Sequence, residues 1–431
     1  MLVEIADRCF LGFSDCGLER AMKVISFLGV SKYSRTCYVW NNKEKETELF
    51  PEAVAYFTKP EKILICLTPT AREGEKSKNW QELKSRFERD GVPFEPLPIP
   101  EGHNESELWE IFDALTDAVQ EGEEVVFDIT NSFRSIPFLS FLAIAYLKAA
   151  KKVQVKNVLY GAWDAKDANN RSPVFDLTPF VSLLDWLTAT EQFIQTGNAR
   201  QLATLLRQKG KLQKAANTLQ TVSQAALLCQ PFTIMKTVPD LLPTLQAAQD
   251  EIAARARPFR ILNERINREF GQFQADFPND PKNVLRSEYR LIEWYYENKQ
   301  LIQAMSLARE FLIDAVQYRL SGKLTTDGLA HGVRQSYEWA VSGLPKIGGP
   351  HPKEPRKFTV DDLNPQGQTI YQLWPECDLL KKTWSALEVV RNGLDHAEHQ
   401  KAPLPLKSIQ KKAERDVMPG LRALAKEWGL T

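Results

Sequence analysis

Residues 124–147 read EVVFDITNSFRSIPFLSFLAIAYL: an apolar β-rich run, a polar turn, then an apolar stretch long enough for a helix. The run ends on Asp128, and Thr130, Asn131 and Ser132 place small hydrogen-bonding side chains where the helix begins. A helix start leaves backbone N–H groups without intrahelical acceptors, so this junction is a natural seat for an anion. Arg134 falls in the first helical turn, where acidic residues are normally favourable. A cation there costs stability unless an anion arrives. The ordinary alternative is that Thr130 or Ser132 caps the helix and Arg134 pairs with a surface carboxylate.

Working outward, similar apolar runs occur at MKVISFLGV (22–30), CYVW (37–40), KILICLT (62–68), FEPLPI (94–99) and VKNVLYGA (155–162), with helical patterns between several of them. Strands alternating with helices imply parallel strands joined by crossovers, hence a doubly wound, Rossmann-like α/β domain over residues 22–180 with its ligand site beyond the carboxyl ends of the strands. The first turn, FLGVSKY (27–33), lacks the GxGxxG of dinucleotide dehydrogenases, yet offers Gly29, Ser31 and Lys32 on the same sheet edge. LTPTARE (67–73) adds Thr68, Thr70 and Arg72. Three polar loops on one edge favour a nucleotide-like ligand. Residues 1–21 read as an extension, with the functional chain starting at Met22.

Beyond PVFDLTPFVSLLDWL (173–187) the strand signals stop and the pattern is helical. A helical linker is expected over 181–283, broken by Pro239, Pro243 and Pro258 and ended by the turn-rich FPNDPKN (277–283). An all-α domain is expected over 284–431, containing a long loop at 343–369.

The chain has 431 residues, 55 Lys plus Arg and 55 Asp plus Glu, so its formal charge is zero. Bulk polyanion binding needs clustered cations, so any RNA would be handled at a local site. Six cysteines without a CxxC pair suggest neither a zinc knuckle nor a redox dithiol. No apolar run is long enough to span a bilayer, and a secretory signal is lacking, so a cytoplasmic protein without membrane association is expected.

Near the end, RNGLDH (391–396) places Arg391 and His396 five positions apart. Five steps turn a helix by roughly 140°, so the two do not stack on one face. Asp395, four positions on, is the natural helical partner of Arg391.

Taken together, FLGVSKY followed by Thr36-x-Tyr38, FDITNSFRSIP, PVFDLTPF, AMSLAREFL (304–312) and RNGLDH resemble the ancillary ribonucleases of type III CRISPR systems. These join a CRISPR-associated Rossmann fold (CARF) sensor to a HEPN nuclease domain. The resemblance implies a homodimer, open to assembly into a higher oligomer, whose sensors bind a cyclic oligoadenylate, most often cyclic tetra-adenylate, as allosteric activator, with single-stranded RNA as substrate. It assigns Gly29, Tyr33, Asp128, Thr130, Ser132, Phe133 and Arg134 to the ligand loops and Arg391, Asn392 and His396 to the nuclease site. Asn131 stands where the family commonly carries histidine; an amide still hydrogen-bonds but cannot shuttle a proton, which favours binding over ligand hydrolysis in the sensor.

RNA can be cut through its own 2′-hydroxyl without a metal or other cofactor. That chemistry gives Arg391 the phosphate and its transition-state charge, Asn392 an orienting role, and His396 a proton-transfer step. Gly393 is expected to loosen the helix, so that a two-fold axis could pair the segment with its copy. Glu310 could support Arg391. A metal site of Asp395, His396 and His399 is the weaker alternative, with His103, His331, His351 and His399 expected on solvated faces. Two other classes compete: a ligand-sensing transcriptional regulator, for which no basic recognition helix or β-wing is seen, and a catalytically inactive HEPN interaction module. The helices from 181 to 276 would transmit sensor occupancy.

Overall fold

The structure, a computed structural model, describes residues 22–73, 76–131, 136–207, 211–248, 250–251, 259–277, 279–324, 331–395, 399 and 403–431. The expected extension at 1–21 and the break at Pro258 lie outside them. The chain forms two compact units, Met1–Asp185 and Trp186–Thr431.

The first unit contains β1 (Met22–Phe27), β2 (Thr36–Trp40), β3 (Lys43–Thr47), β4 (Lys62–Leu67), β5 (Phe94–Pro98), β6 (Glu124–Asp128), β7 (Gln154–Gly161) and β8 (Arg171–Asp176) in one sheet, ordered β3-β2-β8-β7-β6-β1-β4-β5. The central pairs β1·β4, β1·β6, β4·β5 and β6·β7 are parallel, as is β2·β8. Two pairs are antiparallel, β2·β3 and β7·β8, so the sheet is mixed rather than purely parallel. Strand β3, KEKET, has no apolar run to announce it; as an edge strand it needs none. Its signal is the turn before it, where Asn41 and Asn42 take φ of 48° and 61°, as a tight hairpin requires.

Alternating side chains feed two cores. Val24, Ile63, Ile65 and Val126 pack on one face with Phe50 and Val54 of α1 (Phe50–Thr58) and Leu83 and Phe87 of α3 (Lys78–Asp90), which follows the short α2 (Pro69–Arg72). Ile25, Leu64, Val125 and Phe127 pack on the other with Ile111 and Leu115 of α4 (Glu105–Asp117) and Ala143 and Leu147 of α5 (Ile136–Lys151). Each fully buried Ile, Leu or Phe contributes about 1.5–3 kcal/mol of transfer free energy, so one register satisfies both faces and a one-residue slip would ruin both. The loops after β1, β4 and β6 therefore leave the same edge.

Helix α6 (Thr178–Thr196) carries the boundary between the units. The second unit continues with α7 (Arg200–Leu206), α8 (Lys211–Leu227), α9 (Pro231–Ala247), α10 (Phe259–Gly271), α11 (Pro281–Glu297), α12 (Leu301–Ser321), α13 (His331–Gly343), α14 (Pro365–Leu373), α15 (Cys377–Asp395), α16 (Leu406–Lys412) and α17 (Met418–Glu427). One apolar cluster runs through it from Ala189 to Leu430.

Three sequence expectations fail here. Pro239 and Pro243 do not break the chain; both lie inside α9. Each costs about 3 kcal/mol in a helix interior, but Ile234, Met235, Val238, Leu241 and Leu245 bury completely, which offsets that cost. The segment 343–369 is also well structured: Pro350 and Lys357 form an antiparallel bridge, Arg356 bonds Glu354 (2.6 Å) and Asp362, and Asn364 caps α14. His351 is tucked into that segment, its ring 5.7 Å from Phe358 at 20° and its Nε2 3.8 Å from Asp362, rather than solvated.

Candidate functional site

At the sheet edge, Asp128 closes β6 as a fully buried carboxylate. Ser26 Oγ donates to its Oδ2 at 2.5 Å and the Thr130 backbone N–H to its Oδ1 at 2.8 Å. Burial pushes the carboxyl up to about 6, with the Ser26 and Thr130 bonds opposing. Asp128 therefore braces the loop from beneath rather than presenting an oxygen to a ligand. Thr130 in turn accepts from the Gly161 N–H at 2.8 Å, tying the loop to the end of β7.

Gly29 N–H donates to the Tyr33 hydroxyl at 3.0 Å, and a Cβ at Gly29 would lie 2.9 Å from that oxygen, so a side chain there would push the hydroxyl back. Burial raises the Tyr33 pKa and the nearby Asp128 charge adds to it, while the Gly29 bond opposes. The Asn131 carbonyl lies 3.6 Å from the position of that Cβ, so the first and third loops do meet. Asn131 Nδ2 is buried with no hydrogen-bond partner among the described residues. Ser132, Phe133 and Arg134 lie outside the described residues.

Asn79 of α3 was not legible in advance: its Nδ2 donates to the carbonyls of Gly29 and Ser31, both at 2.9 Å. Fifty residues separate it from the loop, and nothing local marks it. In the second loop, Thr68 caps α2 through the Ala71 N–H and Arg72 leans on Glu73 at 3.5 Å. The Thr68 hydroxyl is thus engaged locally, and Arg72 stands half-exposed beside Glu73.

In the second unit, α12, α13 and α15 enclose a cleft of about 220 Å³ lined by Arg309, Glu338, Ser342, Trp384, Leu387, Glu388, Arg391 and Asn392. Arg391 Nη2 bonds Asp395 Oδ2 at 2.9 Å, the helical partner its spacing suggests, and Arg391 Nε is buried without a partner among the described residues. His396 lies outside the described residues. Gly393 does not loosen α15; the helix runs through it, and Ile409 of α16 lies 3.0 Å from where its Cβ would be. Close packing is the reason for glycine there.

Glu310 does not pair with Arg391. It bonds Arg309 (2.6 Å) and Arg334 (2.6 Å), and Arg309 also holds Glu338. Arg334 continues to Asp314 at 3.1 Å. Behind them Glu288 is buried, and burial and the Asp314 charge drive its carboxyl well above the usual range, against Arg334. Arg309 and Glu338 are cleft residues that the sequence alone did not flag, although Arg309 falls inside the quoted AMSLAREFL.

Among the described residues no group of three His, Cys, Asp or Glu side chains is placed to hold a metal ion, and no helix is long and apolar enough to cross a membrane.

Residues 23–164 match the family model of the CRISPR system endoribonuclease Csx1, CARF domain, and residues 182–279 that of the CRISPR-associated protein MJ1674, second domain. CRISPR-associated protein MJ1674 of Methanocaldococcus jannaschii is 30% identical over 155 residues, covering 35% of this chain and 24% of that protein. The match thus spans about a quarter of the relative's length. A structure of Enterococcus italicus Csm6 bound to cyclic hexa-2′-fluoro-hexa-dAMP aligns over 95% of both chains at 9% identity, with a TM-score of 0.44.

Proposed function

We infer that the chain, whose residues 23–164 match a CARF-domain family model, joins a CARF sensor to a helical region. We propose that it is a cyclic oligoadenylate-activated endoribonuclease working as a homodimer, with the sheet-edge loops as sensor and the Arg391 cleft as nuclease. The observation that carries the nuclease half is the cleft itself: Arg391, whose buried Nε has no partner among the described residues, beside Asn392, in the last turn of a helix that ends at Asp395, the residue before His396 in the sequence. The ligand proposed for the sensor is cyclic tetra-adenylate, received by Gly29, Tyr33, Thr130, Asn131, Ser132, Phe133 and Arg134 over the Asp128 brace.

In the proposed reaction the 2′-hydroxyl of the RNA loses its proton to water as its oxygen attacks the adjacent phosphorus, and the bond to the 5′-oxygen breaks. The products are a 2′,3′-cyclic phosphate and a 5′-hydroxyl. Arg391 neutralises charge on the phosphorane, Asn392 orients the phosphate or His396, and His396 gives its proton to the leaving 5′-oxygen. No metal is needed for this step.

The test is a fluorescent single-stranded RNA incubated with the protein, with and without cyclic tetra-adenylate, with EDTA, and with His396→Ala. Activator-dependent cleavage that survives EDTA and falls at least about a hundredfold in His396→Ala is expected. Cleavage that persists in the variant would refute the site; none with any ring size would refute the activity.

A further inference from the structure

Buried donors rarely go without acceptors, because each unsatisfied one is costly to a folded protein. Two donors with no acceptor among the described residues belong to residues lining the same cleft. Arg391 Nε is one, and the indole Nε1 of Trp384, a residue only 2% exposed, is the other. Seven residues of helix separate them, about 10 Å along the α15 axis, so they address different acceptors rather than one. An indole N–H donates only, so its partner must carry a lone pair.

Arg309 stands over the Trp384 ring, its guanidinium carbon 5.9 Å from the ring centroid. Glu310 and Glu338 each take one of its N–H groups, which fixes the fork and leaves donors for a further acceptor. Of the cleft carboxylates, Glu338 is matched by Arg309, and Glu388 is exposed to solvent. The Trp384 end of the cleft therefore carries an indole with an unmatched N–H and, over its ring, a guanidinium with donors to spare.

We propose that Trp384 and Arg309 form a second phosphate subsite, holding the phosphodiester that flanks the one at Arg391. The assignment rests on the ribonuclease reading of this cleft. The two residues bind and position the strand, while bond-breaking stays with the Arg391 end.

Steady-state cleavage of single-stranded RNA by the full activated chain tests this. Trp384→Phe keeps an aromatic ring while removing the N–H together with part of the indole; it is expected to raise KM about tenfold with kcat within about twofold. Arg309→Gln should do the same, with Arg309→Lys recovering part of the loss. Unchanged KM in both Trp384→Phe and Arg309→Gln overturns the proposal, as does a loss confined to kcat. The wild-type chain supplies a second measurement independent of folding in the variants. Its Trp384 indole N–H resonance, assigned through its neighbours in α15, is followed as inorganic phosphate and then a single-stranded oligodeoxynucleotide lacking the attacking hydroxyl are added. A saturable shift supports the subsite, and a resonance unmoved by both overturns it. If the wild type cuts no RNA, the ribonuclease reading fails, and the indole titration still decides the subsite by itself.

Discussion

Arg391 Nη2 and Asp395 Oδ2 lie 2.9 Å apart, one helical turn along α15, while Nε of the same guanidinium is buried and has no partner among the described residues. One donor of the fork is neutralised and another is unmatched. Asp395→Asn is expected to strengthen RNA binding about two- to fivefold at low salt, the gain fading as salt rises. An exposed i,i+4 pair contributes only about 0.3–0.5 kcal/mol, so the melting temperature should barely move. Fluorescence anisotropy in a His396→Ala background measures the binding; a weaker affinity would mean that Asp395 orients Arg391 instead of competing for it.

Asp128 gives a pH signature. Its carboxyl stands near 6 in the folded chain because of burial, against an unfolded value near 4. A raised folded value means the native state holds the proton longer. Its stabilising contribution is present below about pH 4 and is lost as pH rises through about 6, by roughly 3 kcal/mol. Asp128→Asn has no proton to lose, so its stability relative to wild type should climb between pH 4 and 7. Parallel urea melts at several pH values would show a flat difference if the carboxylate is not desolvated.

Thr130 holds the Gly161 N–H at 2.8 Å. Thr130→Val keeps the shape, leaves that donor unmatched, and should cost about 1–2 kcal/mol. Because the same residue begins the proposed ligand loop, binding of cyclic tetra-adenylate should weaken in step. Calorimetry on the variant separates the two effects; full affinity with reduced stability would remove Thr130 from the ligand loop.

Arg334 faces Glu310 at 2.6 Å and Asp314 at 3.1 Å, with buried Glu288 behind. Burial already lifts both Asp314 and Glu288, and Arg334 is the cation that opposes it. Arg334→Met should destabilise the second unit by about 3 kcal/mol at pH 7.5. With the cation gone both carboxyls rise further, so the deficit should shrink on acidification as they take up protons. Denaturation at pH 5.5 and 7.5 checks it, and an equal loss at both would show that packing rather than charge is responsible.

The sheet was legible because its physics is local and repetitive. Val24/Ile25, Ile63/Leu64 and Val125/Val126 announce a strand buried on both faces, and a parallel strand order follows from the helices between them. What escaped was β3, whose polar edge sequence matches a loop as well as a strand. The persistence of α9 through two prolines escaped for the opposite reason: local propensity was plain, and burial elsewhere in the unit overrode it.

The candidate sites divide in the same way. Asp128 and Thr130 could be singled out from a strand–turn–helix string, but not that Asp128 would lie beneath the loop or that Asn79, from a distant helix, would fasten Gly29. Arg391 and its Asp395 partner follow from the 3.6-residue period alone. Arg309, Glu338 and Trp384 come from three helices, and only their packing decides that Arg309 lies over an indole and bonds Glu338 while Glu310 turns to Arg334. Periodicity along the chain specifies which face a residue takes; which distant side chain meets it is set by the helix–helix contacts that bury the core, and these are not written in any one segment.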